Sequence, residues 1–123
     1  MLFRSRVAWA VAHAAVQAAE DLRVAAILCP TRSGKTAHRV AAFRPTVPIA
    51  GISTSPQVLG SLALVWGVLP LLVPENREEE PLRLALAAAR KAGIVRDGDL
   101  VAVVFGATGP RTGSTDCVRI VRA

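Results

Sequence analysis

Apolar positions fall along this chain in alternating long and short blocks. Residues 6–22, RVAWAVAHAAVQAAEDL, are Ala-rich and free of Gly and Pro, which predicts a helix. RVAAILC (23–29) is a short apolar run stopped by Pro30, too short for a second helix, and reads as a buried strand. TRSG is a turn. KTAHRVAAF (35–43) resumes helical spacing, with Ser33 or Thr31 placed to cap it through a hydroxyl. Pro45 and Pro48 forbid a continued helix, and PIAGIS (48–53) is the second strand. SPQVLGSLALVW (55–66) reads as a helix opened by Ser55, with Pro56 in its first turn and Gly67 as a left-handed cap. LPLLV (69–73) is the third strand and ENREEE (75–80) a solvated loop or helix start. Pro81 to Ala92 form a further helix, with Glu78, Glu79 and Glu80 near the positive end of its dipole and Gly93 ending it. RDGD (96–99) is a turn, LVAVVFG (100–106) the fourth strand, ATGPRTGST (107–115) a loop and DCVRIVRA (116–123) the fifth strand.

Strands joined through helices pair in parallel by right-handed crossovers. Strands that are near-continuous apolar runs belong in a sheet covered by helices on both faces. The expected class is therefore α/β. The last two strands lack an intervening helix and suit an antiparallel edge pair.

The chain has 123 residues, enough for one domain with one core. Hydrophobic residues make up 52% and charged residues 20%, which excludes disorder. Aromatics are only 4%, so Val, Leu, Ile and Ala must build the core. The net charge of +6 permits an anionic partner. The arginines are scattered from Arg4 to Arg122, however, without a basic arm or a set of stacking aromatics, and a nucleic-acid role is not expected. Cys29 and Cys117 lack zinc or redox spacing and read as buried thiols of a reducing cytoplasm. VLGSLALVWGVLPLLVP has the hydropathy of a membrane span, but Gly67 and Pro70 interrupt it, and no membrane association is expected.

CPTRSGKT (29–36) ends like a nucleotide-binding phosphate loop. The first glycine of the Walker A pattern is missing, because Cys29 stands there. Pro30 stiffens the backbone that would wrap the phosphate, and no later strand ends in an Asp for magnesium. What survives is a strand, a short Ser/Thr/Gly turn and a helix N-terminus, a ready-made anion site. Thr31, Ser33 and Thr36 offer hydroxyls, Gly34 a close backbone approach, and Arg32 and Lys35 charge. The same residues could equally do no more than cap the helix.

Other candidates carry less. His13 and His38 lie on helices without metal or catalytic spacing and read as surface residues, and no metal ligands are expected. Trp9 and Trp66 read as core or interface. Arg111, between Gly109 and Gly113, could reach an anion from its loop. No nucleophile–base arrangement is evident, so no residue is assigned a catalytic role.

Five stretches in order resemble the C-terminal α/β domain of pyruvate kinases: the T-x-S-G-x-T-A pattern at Thr31 to Ala37, FRPTVPI (43–49), LALVWGVLP (62–70), DGDLVAVVFG (97–106) and TGSTDCVRIV (112–121). The resemblance implies a three-layer α/β/α domain over residues 6–123, with a five-stranded, mostly parallel sheet of order 3-2-1-4-5 and strand 5 antiparallel. MLFRS (1–5) is read as a non-native or disordered start ahead of a truncated gene product. In that order the loop after the first strand lies at a topological switch point. The resemblance assigns it to an effector phosphate, held by Thr31, Arg32, Ser33, Gly34, Lys35 and Thr36, with Arg111 a weaker contributor. In members that answer to fructose 1,6-bisphosphate, an arginine near the start of the last long helix holds the second phosphate. Pro81 stands at that position here, with Arg77 and Arg83 near but not equivalent, which weakens the case for fructose 1,6-bisphosphate and leaves smaller sugar phosphates or nucleotide monophosphates open. The loop near Arg111 is short, and Asp116 stands where Asn is common.

By resemblance the whole enzyme converts phosphoenolpyruvate and ADP to pyruvate and ATP in glycolysis. Its catalytic barrel, with the Mg and K that serve phosphoryl transfer, lies outside this sequence, so the isolated chain is not expected to catalyse. The implied partners are a phosphorylated small-molecule effector, the barrel domain and a second copy of the chain, in the cytoplasm. A free-standing phosphometabolite-binding protein and a purely structural oligomerisation domain are the alternatives.

Overall fold

The computed structural model describes residues 3–75, 80–105 and 117–123. Its elements run α1 (Phe3–Leu22), β1 (Ile27–Pro30), α2 (Lys35–Ala42), β2 (Ile49–Ser53), α3 (Pro56–Leu62), β3 (Val68–Leu72), α4 (Pro81–Lys91), β4 (Leu100–Phe105) and β5 (Cys117–Arg122). The five strands form one sheet in the order β3-β2-β1-β4-β5. β1 lies at the centre, parallel to β2 with Ile27 opposite Ile49 and parallel to β4 with Ile27 opposite Ala102. β3 is parallel to β2, and β5 runs antiparallel to β4 with Val103 opposite Arg119. Order and strand directions are as the sequence reading expects.

Alternation along each strand divides the core in two, because successive side chains point to opposite faces. Ile27, Cys29, Ile49, Ala102 and Val104 pack under α1, α2 and α3 with Val16, Val40 and Leu62. Leu28, Ala50, Ile52, Val101 and Val103 pack under α4 with Ala85 and Ala89. α1 buries Ala8, Ala12, Ala15, Val16 and Ala19, a helical stripe of mostly small side chains.

Local boundaries differ from the sequence reading by one residue at several element ends and by three or more in three places. α1 begins at Phe3 and not at Arg6. β1 begins at Ile27 and not at Arg23, because residues 23–26 close α1 and enter the sheet. Arg23 takes φ 51, the Val24 amide donates to the Ala19 carbonyl at 3.2 Å, and the Ala25 amide reaches Leu100 at 2.8 Å. α3 ends at Leu62 and not at Trp66. Past it, the Leu64 and Val65 amides donate to carbonyls three residues back, so the backbone tightens into turns before β3. Gly67 does adopt the left-handed conformation, at φ 84, but at the entry to β3 and not as the cap of α3. Ser55 caps α3 as expected, its hydroxyl accepting from the Val58 amide at 3.3 Å with Pro56 in the first turn. Among the described residues no helix is long and apolar enough to cross a membrane.

Candidate functional site

Residues 31–34 leave the carboxyl end of β1 and deliver the chain to the first turn of α2. The connection from β1 to β2 goes to one side of β1, and the connection from β3 to β4 goes to the other. The loop therefore occupies the switch point of the sheet, where an open crevice forms at strand ends.

Three hydrogen bonds shape it. The Thr31 amide donates to the Ile52 carbonyl at 2.8 Å and ties the exit of β1 to that of β2. The Thr31 hydroxyl accepts from the Gly34 amide at 2.8 Å, and the Ser33 hydroxyl accepts from the Lys35 amide at 3.3 Å. The residue immediately before α2 is Gly34 at φ 87, a conformation that favours glycine, so neither Thr31 nor Ser33 occupies the cap position itself. Both still serve the orphan amides of the helix start, and a hydroxyl that accepts one bond has the chemical capacity to donate another.

Arg32 and Lys35 are exposed beside the turn, whereas Thr36 is buried. The electrostatics reach further. Between Asp21 and Glu75 the chain has no acidic residue, while Arg23, Arg32, Lys35, Arg39 and Arg44 fall within it. The α2 N-terminus adds the positive end of its dipole. Thr31, Arg32, Ser33 and Gly34 thus form the turn, Lys35 opens α2 beside it, and Thr36, expected to offer its hydroxyl, is instead buried in the first turn of the helix. Arg111 and Arg77 fall outside the described residues. Pro81 opens α4, preceded by Glu80, and Arg83 is exposed in that helix's first turn.

Sequence reading missed two features next to the turn. Ser53, buried at the end of β2, accepts the Ser55 amide at 3.2 Å, which makes a second serine turn beside the first. Leu62, fully buried, packs across to Gly34, where a β-carbon would sit 3.4 Å from Leu62 Cδ2. The STS of residues 53–55 signalled the first; nothing local signals the second, because Leu62 reaches the loop through tertiary packing alone.

The remaining candidates scatter. His13 is exposed and stacks on Phe43 at 4.9 Å. His38 lines a shallow pocket with Arg44 and Trp66. Trp9 and Trp66 are surface side chains, not core. Cys29 is buried, and burial pushes its thiol pKa up; Cys117 is half-buried, not buried as expected. Among the described residues no three His, Cys, Asp or Glu side chains group closely enough to hold a metal ion.

The architecture defines an open α/β domain with a cationic turn at its switch point. A family profile described as "Pyruvate kinase, alpha/beta domain" matches residues 9–121. The chain belongs to the pyruvate kinase family and corresponds to that domain. It is 42% identical over 111 residues to a pyruvate kinase of Geobacillus stearothermophilus, a match covering 89% of this chain and 18% of that protein. It is 37% identical over 118 residues to pyruvate kinase 2 of a Synechocystis strain, covering 95% and 20%. With a pyruvate kinase of Lactobacillus delbrueckii subsp. bulgaricus it shares 32% over 117 residues, covering 94% and 20%. The chain thus spans about a fifth of the length of these curated relatives.

Proposed function

We propose that this chain serves as the effector-binding and subunit-contact domain of a pyruvate kinase, and that its turn at residues 31–36 takes the phosphate of a small phosphorylated effector. The observation that carries the reading is the turn itself: two hydroxyls, a left-handed glycine and two exposed cations gathered at one helix N-terminus at the switch point. Thr31 and Ser33 accept backbone amides and can donate outward to phosphate oxygens, while Arg32 and Lys35 offset the ligand's charge. Effector binding changes activity by favouring one quaternary state over another. The phosphoryl transfer from phosphoenolpyruvate to ADP, with its metal ions, is assigned to the other four-fifths of a relative-length enzyme, in a cytoplasm reducing enough to keep both cysteines as thiols.

For subunit contact the two sheet edges differ. β3 carries Pro70, which offers no amide to a further strand. β5, CVRIVR, has no proline, and Ile120 is exposed on it. An open edge without a proline, with Ile120 exposed between Arg119 and Arg122, can still pair with a second copy.

Thermal unfolding with a panel of sugar phosphates and nucleotide monophosphates tests the phosphate reading. A rise in Tm with at least one ligand, abolished by Lys35→Ala and by Ser33→Ala, is expected. A shift that survives both substitutions overturns the site. No shift with any phosphate favours a purely structural, oligomer-forming domain. That second reading draws on the same bonds, because Thr31 and Ser33 already satisfy the amides of the helix start.

A further inference from the structure

Two glycines near the turn face one leucine. A β-carbon on Gly51 of β2 would lie 2.6 Å from Leu62 Cδ1, and a β-carbon on Gly34 would lie 3.4 Å from Leu62 Cδ2. The two methyl groups of this side chain therefore reach from the sheet to the residue that opens α2. Leu62 has no exposed surface. Val58, one turn earlier on the same stripe of α3, is the other neighbour of Gly34, 3.5 Å from the same β-carbon position. α3 is held at both ends, which fixes the stripe: the Ser55 hydroxyl accepts the Val58 amide at 3.3 Å, and the Leu62 carbonyl accepts the Val65 amide at 3.0 Å.

We propose that Leu62 is a positioning residue for the turn at residues 31–34: wedged between Gly51 and Gly34, it backs the glycine that aims the turn's amides, and so sets how tightly the turn takes a phosphate. The affinity half of this rests on the phosphate reading above. Gly34 carries the geometry of the turn. Its amide donates to the Thr31 hydroxyl at 2.8 Å, and its carbonyl accepts the His38 amide, the first bond of α2, at 3.1 Å. Both bonds depend on φ 87, and glycine is the residue with most freedom to leave such a conformation. On the side away from those bonds, Leu62 and Val58 are its nearest neighbours. Of the two, only Leu62 also rests on the sheet, at Gly51, so it transmits the rigidity of β2 to the turn. Being fully buried, Leu62 cannot touch a ligand and acts through Gly34. Anion binding at a helix start depends on where the amides point, and a site of that kind is only as precise as the packing that holds it.

Amide exchange of the 123-residue chain, followed residue by residue by NMR, tests the positioning without any ligand. Leu62→Ala is compared with Val103→Ala, a fully buried residue in the core on the opposite face of the sheet. Leu62→Val replaces the alanine variant if that variant does not fold, and Leu62→Met keeps the volume. The Gly34 and His38 amides are expected to exchange at least about tenfold faster in Leu62→Ala than in Val103→Ala, with Leu62→Met close to the parent. Equal acceleration in the Leu62 and Val103 variants overturns the proposal, because Leu62 is then core filling and nothing more. Titration with inorganic phosphate, read from the same amide resonances, is the second measurement. A Kd at least about tenfold weaker in Leu62→Ala and unchanged in Val103→Ala is expected. A Kd unchanged in Leu62→Ala overturns the proposal. A parent whose turn amides do not respond to phosphate defeats the phosphate reading and the affinity half with it, while the exchange comparison still decides whether Leu62 holds the turn.

Discussion

Leu62 of α3 packs directly over Gly51 of β2. A β-carbon on Gly51 would lie 2.6 Å from Leu62 Cδ1 and 3.2 Å from Val68 Cγ1. The glycine is a spatial requirement, since it lets a fully buried leucine reach the sheet and continue to Gly34 at the turn before α2. Gly51→Ala is expected to lower stability by about 1–3 kcal/mol through overpacking. Urea unfolding measures it, and a neutral result would mean that Leu62 has room to withdraw.

Gly34 answers to a different constraint. Its φ of 87 is the difficulty, and the space around it is ordinary contact. Gly34→Ala should cost about 1 kcal/mol from backbone strain alone. Because the Gly34 amide is bonded to Thr31, the same change should also weaken any phosphate-induced rise in Tm. Equilibrium unfolding with and without the phosphate ligand separates the two effects.

Glu20 of α1 holds the loop between α2 and β2. Its carboxylate accepts the Thr46 amide and the Thr46 hydroxyl, each at 2.6 Å. The hydroxyl first and then the amide hold the carboxyl pKa below its ordinary value of 4.5. A depressed carboxyl pKa contributes stability that is complete above the unfolded value and is lost as pH falls through the folded one. Melting temperatures followed from about pH 7 to about pH 3 should therefore drop more steeply in the parent than in Glu20→Gln. Parallel curves would show that the pair contributes nothing.

The two thiols should differ in reactivity. Cys29 is fully buried, and burial disfavours its thiolate; Cys117 is only half-buried. Under native conditions a thiol-specific disulfide reagent should leave Cys29 unmodified, and it should react once denaturant is added. Peptide mapping of the labelled sites reads the outcome.

Much of the fold was legible in the sequence because periodicity and punctuation agree. RVAAILC followed by Pro30 and the short run PIAGIS predict strands, and Ser55 with Pro56 predicts a helix start that the structure contains. The boundaries were less legible where one apolar run serves two elements. LALVW keeps an apolar pattern past Leu62, but burial of Leu62 against Gly51 and tight turns after it end the helix there. The turn residues were visible as SGKT, whereas Ser53 and Leu62 were not assigned to its surroundings, since the pairing of β1 with β2 brings Ser53 near and the packing of α3 brings Leu62.

By itself, then, the sequence determined that this is an α/β chain with a cationic hydroxyl turn after its first strand, through apolar runs of strand and helix length broken by Pro, Gly and Ser. Its five ordered stretches were enough to mark the pyruvate kinase resemblance. Tertiary structure alone decided which side chains share a surface. Trp9 meets Phe43, and Arg44 covers Trp66, across long stretches of sequence, because α1, the end of α2 and the approach to β3 pack side by side. Glu20 and Thr46, 26 residues apart, meet for the same reason. Local pattern records which face of an element is apolar; which elements then lie together is set by sheet order and by the close approach that small residues such as Gly51 allow.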